Sequence, residues 1–180
     1  MTFSAVPSNQ SLAQVTKFKL NFERLPNVTF FCTKANFPGV STSPIPHYTP
    51  FVDLYIPGDK LVYDNFEIEF LIDEDFIGWK SIHDWLRGMT FPTDFKEYRD
   101  LKKLNRFPQT TSHELHEKPQ YSDAMLTIYS NMNNAHLRIK LIDIFPITLS
   151  SIDFDSESNA DDILMGRATF KFSYYDIERI

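Results

Sequence analysis

The chain has 180 residues, of which 42% are hydrophobic, and a formal net charge of −6. This length gives one domain with a substantial core and is too short for two comfortable domains, so we expect residues 1–180 to form a single domain. The negative charge argues against a dedicated nucleic-acid binder, which normally carries a basic patch.

A single cysteine, Cys32, excludes an internal disulfide, and its apolar neighbours predict an inert, buried thiol. No apolar run reaches the roughly 18 residues that a membrane-spanning helix needs. The N-terminus lacks a charged segment followed by an apolar one, so we expect synthesis in the cytoplasm without a signal peptide.

The first third of the chain predicts an arm, two strands and a long loop. Residues 1–15 are polar and predict an N-terminal arm that buries little of itself. Residues 16–22 alternate Lys or Asn with Phe or Leu, which predicts a half-buried strand. A turn at 25–27 and an apolar run over 28–36 predict a second strand that forms a hairpin with the first.

Residues 37–60 predict an extended loop, because five prolines in this stretch disfavour a helix or a central strand. Loops of this length inside one domain are often functional. Within the loop, residues 52–56 can still form a short edge strand that is available to a neighbouring chain.

A strand and a helix follow. Residues 66–72 alternate apolar and polar side chains, and the acids at 73–75 stand where a helix N-terminus favours negative charge. Apolar residues spaced three and four apart, including Trp79 and Trp85, predict a helix over 75–87. Gly88 is the predicted stop.

The second half of the chain predicts an insertion and then more strands. Residues 89–123 form the insertion, with a short charged helix over 93–104 and an exposed loop after it. A turn of Asn residues at 131–134 predicts a hairpin. The predicted strands are 124–130, 136–145 and 167–176, and residues 147–154 form either another strand or the shoulder of the preceding one.

No motif supports an enzyme, a cofactor or a metal. His113 and His116 are three residues apart, whereas a zinc protease helix needs four. The acids from Asp153 to Asp162 alternate as in a calcium loop, but Ser158 stands where the sharp turn needs glycine. We therefore expect solvated loops at both places.

Charge is segregated among the strands. The polar face of the strand at 65–69 is acidic, and those of 136–140 and 167–171 are basic. These side chains either form ordinary cross-strand pairs on a solvated sheet or line a water-filled lumen, and periodicity does not decide between the two. The lumen candidates are Glu67, Glu69, Arg138, Lys140, Arg167 and Lys171.

The order of these segments resembles the tube proteins of contractile-tailed bacteriophages. The matching features are the Phe37-Pro38-Gly39 turn, the Pro57-Gly58-Asp59 turn and the tryptophan-bearing strand–helix pair. The closing strands, LRIKLIDIFPITLSSIDFDSES (137–158) and ATFKFSYYDIE (168–178), are also similar. Together the matching segments span residues 16–88 and 124–178.

The resemblance implies a mainly β subunit, a β-sandwich or barrel with one flanking helix, that assembles into hexameric rings with a continuous inner β-barrel. Stacked rings would form the virion's tail tube for DNA ejection, in which DNA passes without specific binding. Implied partners are further copies, the tail sheath, a baseplate tube initiator, the tape measure protein and the tail terminator. We also expect inter-subunit contacts in the 37–60 loop, because a long ordered loop in a compact domain needs a partner surface. The candidates are Phe37, Pro38, Gly39, Pro44, Pro46 and Tyr48.

Two alternatives remain open at this point. A close variant is a tube-initiating baseplate ring or a type VI secretion-like tube subunit. An alternative from another class is a monomeric β-sandwich that binds glycans through Trp79, Trp85 and the loop tyrosines, although both tryptophans lie on the apolar stripe of the predicted helix.

Overall fold

The computed structural model describes residues 11–103, 120–155, 157 and 162–180, and the fold is built from antiparallel strands with three helices in that part of the chain. No helix among these residues is both long and apolar enough to cross a membrane. In chain order the elements are β1 (Phe18–Phe22), α1 (Pro26–Phe31), β2 (Cys32–Ala35), β3 (Val40–Thr42), β4 (Ile45–Tyr48), β5 (Asp53–Ile56), β6 (Leu61–Tyr63), β7 (Phe66–Leu71), α2 (Ile77–Thr90), α3 (Lys96–Lys103), β8 (Ser122–Tyr129), β9 (Ala135–Leu149), β10 (Met165–Lys171) and β11 (Tyr174–Arg179).

The main sheet has seven strands and folds over into two layers. Its path is β1-β8-β9-β10-β7-β2, and β11 pairs with the first part of β9. The inner layer, as we name it, contains β1, β8, the first part of β9 and β11; the outer layer contains the end of β9, β10, β7 and β2. Strand β9 passes between layers near Asp143, whose φ of 57° is left-handed.

One hydrophobic core lies between the two layers and α2. The Phe22 ring of β1 lies 5.1 Å from the Phe170 ring of β10, which joins the layers. Trp85 of α2 is 1% exposed, packs 6.3 Å from Phe170, and donates its indole N–H to the Gln120 carbonyl at 2.9 Å. This packing confirms the predicted β-sandwich with a flanking helix.

The predicted hairpin of residues 16–22 and 28–36 is wrong. Strand β1 pairs with β8, β2 pairs with β7, and helix α1 occupies most of the segment between them. Pro26 starts this helix, where its missing N–H costs nothing. Leu25 and Val28, three residues apart, are both buried, so the core selects a helical turn over the extended form that Phe30 and Phe31 favour.

The predicted loop at 37–60 is a β-ribbon. Strands β3 and β6 pair, then β4 and β5 pair, so the ribbon continues the β2–β7 hairpin outward in three steps. The edge strand expected over 52–56 exists as β5, but its partner is β4 of the same chain. We name residues 38–64 the arm.

Two boundaries differ from the prediction, and one open alternative is resolved. The strand expected over 167–176 is two strands, because the chain crosses from the outer to the inner layer at Phe172 and Ser173. Of the two alternatives for residues 147–154, the structure has the second, because residues 147–149 are the end of β9 and not a new strand. Gly88 does not stop α2, which continues to Thr90; instead it admits Leu101 of α3, whose Cδ1 would lie 2.9 Å from any Cβ placed there.

Candidate assembly surfaces

The arm exposes apolar side chains on both of its faces. Every residue of β3, β4 and β5 is exposed, including Tyr48 and Leu54, and Phe51 at the tip is 98% exposed. Isolated two-stranded ribbons are marginally stable in water, and contiguous exposed apolar surface marks an interaction site. This arrangement is suited to burial against another molecule.

An aromatic cluster fixes the base of the arm to β11. The Tyr175 ring lies 5.1 Å from that of Tyr63 and 5.4 Å from that of Phe37, and Tyr63 also contacts Phe172. The Asp64 amide donates to the Gly39 carbonyl at 2.9 Å. Such aromatic pairs hold the direction in which the arm leaves the sandwich.

The two halves of the arm meet at a tight backbone crossing. The Gly58 Cα faces the Ser43 carbonyl oxygen so closely that no Cβ fits between them. The Thr42 hydroxyl donates to the Gly58 carbonyl at 3.3 Å. The Pro57-Gly58-Asp59 turn therefore lies where the two halves of the arm join. The six residues predicted for inter-subunit contact begin at the base of the arm and continue toward its tip: Phe37, Pro38, Gly39, Pro44, Pro46 and Tyr48.

The solvent face of the outer layer carries one group of charged candidates. Glu69 accepts from Arg167 at 2.9 Å and from Lys34 at 3.3 Å, so its carboxylate bridges two basic side chains. Glu67 lies opposite Thr169 on the same face. Lys171 donates to the Tyr63 carbonyl at 2.8 Å, at the base of the arm.

The solvent face of the inner layer carries the other group. Lys140 donates to Glu178 of β11 at 2.6 Å, and Arg138 lies opposite Glu178 in the β9–β11 register. The hydrogen bond from Lys140, and then the positive charges of Lys140 and Arg138, lower the pKa of Glu178. A groove of about 390 Å³ runs beside them, lined by Glu23, Asp123, Arg138, Lys140 and Asp176 among others.

Within this groove two carboxyl groups interact unfavourably. Burial raises the pKa of Glu23, and the negative charge of Asp123 adds to the effect. Asp123 also accepts the Asp143 amide at 3.2 Å, where β9 changes layer. The acids of the groove therefore serve partly to fix the strand crossing.

The six lumen candidates do not share one face. Glu67, Glu69, Arg167 and Lys171 lie on the outer layer, and Arg138 and Lys140 lie on the inner layer with the core between the groups. The acidic partner of the inner group is Glu178, which alternation within β11 places beside Asp176. Sequence reasoning missed both acids because it merged β10 and β11.

No group of three or more His, Cys, Asp or Glu side chains is placed to hold a metal in the described part of the chain. The His113–His116 segment and parts of the 153–162 segment lie outside the described residues. Cys32 is half-buried, and burial raises the pKa of its thiol to about 11. Trp79 and Trp85 both contribute to the core rather than to a binding platform.

Comparison with known proteins identifies one family. A family model described as "Phage tail tube protein" matches residues 2–178. No curated protein matches the chain.

Solved structures of contractile injection systems share the fold at low identity. The chain is similar to a protein of the anti-feeding prophage tube-terminating cap, with TM-score 0.63, 14% identity and full coverage of both chains. A protein of the PVC sheath–tube complex in the extended state gives TM-score 0.58 and 12% identity, with 95% and 94% coverage. A protein of the anti-feeding prophage baseplate gives TM-score 0.55 and 10% identity, with 97% coverage of each chain.

Proposed function

The chain belongs to the phage tail tube protein family, and we propose that as a structural tube subunit it closes into six-membered rings that stack into a conduit. A heterologous contact that closes gives a ring, and stacking then extends it without limit. The single observation that carries the proposal is the arm, whose apolar faces are not covered by any described part of its own subunit.

The arm is the element we assign to contacts between neighbouring subunits. Its proximal half is held by the aromatic cluster at Phe37 and Tyr63, so the tip projects in a defined direction. A preformed extension loses less conformational entropy on binding than a disordered loop. Burial of Tyr48, Phe51 and Leu54 on an adjacent copy would supply the favourable apolar term.

The charged faces suit a conduit. Because the two layers turn opposite faces to solvent, only one of the two candidate groups faces a channel. Each face mixes acids with bases, and a channel of balanced potential holds DNA weakly and lets it slide.

The remaining assignments follow from the same role. Partners are further copies, the sheath, a baseplate initiator, the tape measure protein, the terminator and DNA in transit. The subunit is made in the host cytoplasm, ends in the virion tail and performs no catalysis. We treat residues 1–180 as one tube domain, with an N-terminal segment at 1–15, the extended segment at 37–60 and an insertion at 89–123. Neither a baseplate-specific ring nor a glycan-binding monomer is favoured.

The test removes the distal half of the arm. Deleting residues 45–56 joins Pro44 to Pro57, next to the point where the two segments of the arm already meet at Ser43 and Gly58. We expect a subunit with the wild-type circular dichroism spectrum that forms no tubes in negative-stain micrographs, even when it is co-expressed with baseplate components.

A pair of point variants provides the matched control. Phe51→Ser at the tip should reduce severalfold the fraction of the protein that sediments as tubes. Phe95→Ser, which alters an exposed Phe of another segment, should leave this fraction unchanged. Normal tubes from the deletion variant would refute the role of the arm. Wild-type protein that stays monomeric with all baseplate components present would refute the function itself.

A further inference from the structure

We propose that rings close through antiparallel pairing of β1 with β11 of the adjacent copy, with Lys19 opposite Asp176 of that copy. The proposal rests on the proposed tube function and specifies the seam between subunits. Strands β1 and β11 are the two edges of the inner layer, whose order is β1-β8-β9-β11. Exposed strand edges invite pairing with another chain.

The strand directions permit this pairing. Each neighbouring pair in the inner layer is antiparallel, so β1 and β11 run in opposite directions. Rotation about a ring axis preserves direction along that axis, and β11 of one copy therefore meets β1 of the next in antiparallel orientation. Joined in this way, the inner layers form one closed barrel without edges.

In this register, residues whose backbone N–H and C=O groups point outward stand opposite each other. The Phe22 amide points away from β8 and donates to the Thr29 hydroxyl at 2.9 Å, so Phe18 and Leu20 present their N–H and C=O groups at the same edge. In β11 the Ile180 amide points toward β9 and donates to the His136 carbonyl at 3.1 Å, so the backbone N–H and C=O groups of Tyr175 and Ile177 face outward. Pairing Lys19 with Asp176 sets Phe18 opposite Ile177 and Leu20 opposite Tyr175.

The side chains agree with the same register. Phe18, Leu20 and Tyr175 point to the core side of the layer, and alternation places Ile177 on that side as well. Ile177 is 52% exposed in the single subunit, and the neighbouring β1 would cover it. A groove of about 420 Å³ runs beside β1, lined by Leu20, Pro26, Thr29, Phe30 and Cys32 among others. The groove leaves space beside the open edge of β1 for an incoming strand.

Several registers satisfy the backbone hydrogen bonds, and the charged side chains favour this one among them. Within the described part of the chain, the side chains of Lys19 and Asp176 form no hydrogen bond or ion pair, although both lie on the solvent face of the inner layer. The chosen register pairs them across the seam, and it also sets Lys17 opposite Glu178. Opposite charges directly across a strand pair stabilise it, whereas like charges oppose it.

The outer layer offers poorer edges. The end of β9 contains Pro146 and a register shift beside it, and β2 has four residues with a register shift of its own. Proline and bulges are features that prevent edge pairing. With the inner layer closing the ring, the rest of the subunit lies outside, so Arg138 and Lys140 face the channel and Glu67 and Glu69 do not.

Charge reversal with restoration tests the seam. Lys19→Glu and Asp176→Lys should each reduce the sedimentable tube fraction at least fivefold, and the double variant should recover most of it. Unchanged melting temperatures of the three unassembled subunits would show that the loss concerns assembly. Single variants that build tubes as wild type does, or a double variant no better than the singles, would overturn the proposal.

A disulfide measures the register directly. Asn21→Cys and Tyr174→Cys, in a Cys32→Ser background, are opposite in this register and form a non-hydrogen-bonded pair, whose Cα atoms lie about 4.5 Å apart. Within one subunit these positions are three strands apart, roughly 14 Å, beyond disulfide reach. Oxidised tubes should give a ladder of covalent multimers ending at the complete ring.

The control pair is Asn21→Cys with Glu178→Cys, which lies four residues out of register. Tubes that form normally in micrographs but cross-link only through the control pair, or through neither pair, would overturn the seam and leave the tube function intact. Absence of tubes from wild-type protein under all conditions would instead refute the function.

Discussion

At the scale of single residues, close neighbours rather than backbone conformation determine where glycine is required. No glycine in the described part of the chain has a positive φ. Gly58 meets the Ser43 carbonyl, Gly88 meets Leu101, and Gly166 of β10 lies under the ring of Phe70, its partner in β7. A side chain at any of these positions would have to displace a neighbour.

Gly166→Ala should destabilise the subunit. An added Cβ would lie 2.8 Å from Phe70 Cζ and 3.1 Å from Cε2, and the Phe70 ring is fully buried in the core. Overpacking of this kind costs about 1–3 kcal/mol. Urea denaturation of the unassembled variant should show the loss as a lower midpoint with an unchanged slope.

Gly78→Ala is the matched control. A Cβ at this helical position would meet Val28 Cγ2 at 3.7 Å, an ordinary contact, and alanine is the better helix former. We expect unchanged or slightly higher stability. Equal losses from the two substitutions would show that close packing at Phe70 is not the reason for glycine at 166.

At the scale of elements, a side chain before α2 determines where that helix begins. Asp73 accepts the Ile77 and Gly78 amides through its two carboxylate oxygens, at 3.2 and 3.3 Å. These are two of the amides that a helix leaves without an intrahelical partner. The helix buries Ile82 and Trp85, so its start also fixes how its apolar face meets the core.

Asp73→Ala should cost about 1 kcal/mol of stability, the usual effect of removing a capping side chain. Asp75→Ala removes a nearby carboxylate that forms no such bond within the described residues, and should cost about 0.5 kcal/mol or less. Thermal unfolding of the unassembled subunits compares the two. A smaller effect at Asp73 than at Asp75 would contradict the capping role and favour a general charge effect.

At the scale of the whole molecule, stability is unevenly distributed between the sandwich and the arm. The sandwich holds the buried aromatic core, while the distal arm has two strands and no buried residue. Local opening needs least free energy where few apolar contacts are lost. The unassembled subunit therefore combines a stable body with a marginal extension.

Hydrogen exchange should detect this difference. In the unassembled subunit, amides of β4 and β5 should exchange within seconds, while those of β7 and β10 stay protected for hours. In assembled tubes the arm should become protected as well, because its ladder is then covered. Equal arm protection before and after assembly would contradict its proposed role as a contact between subunits.

The sequence alone determined the element types wherever one face of a strand or helix is buried. Alternation located β7 and the start of β9, and the three-and-four spacing located α2, because burial of one face imposes a period on the sequence. The order of the turns and strands was sufficient to indicate the family. These features need no knowledge of which strands pair.

Only the tertiary structure decided the pairing, the exceptions to local preference and the grouping of charges. Val28 to Phe31 read as a strand, but burial of Leu25 and Val28 in the shared core requires a helix there. The residues of β10 and β11 read as one strand, but the chain changes layer between them and carries Asp176 and Glu178 to the opposite face of the subunit from Glu67 and Glu69. Periodicity reports which side of a strand is buried, whereas the layer to which it belongs depends on contacts with residues far away in the chain, and no local pattern encodes those.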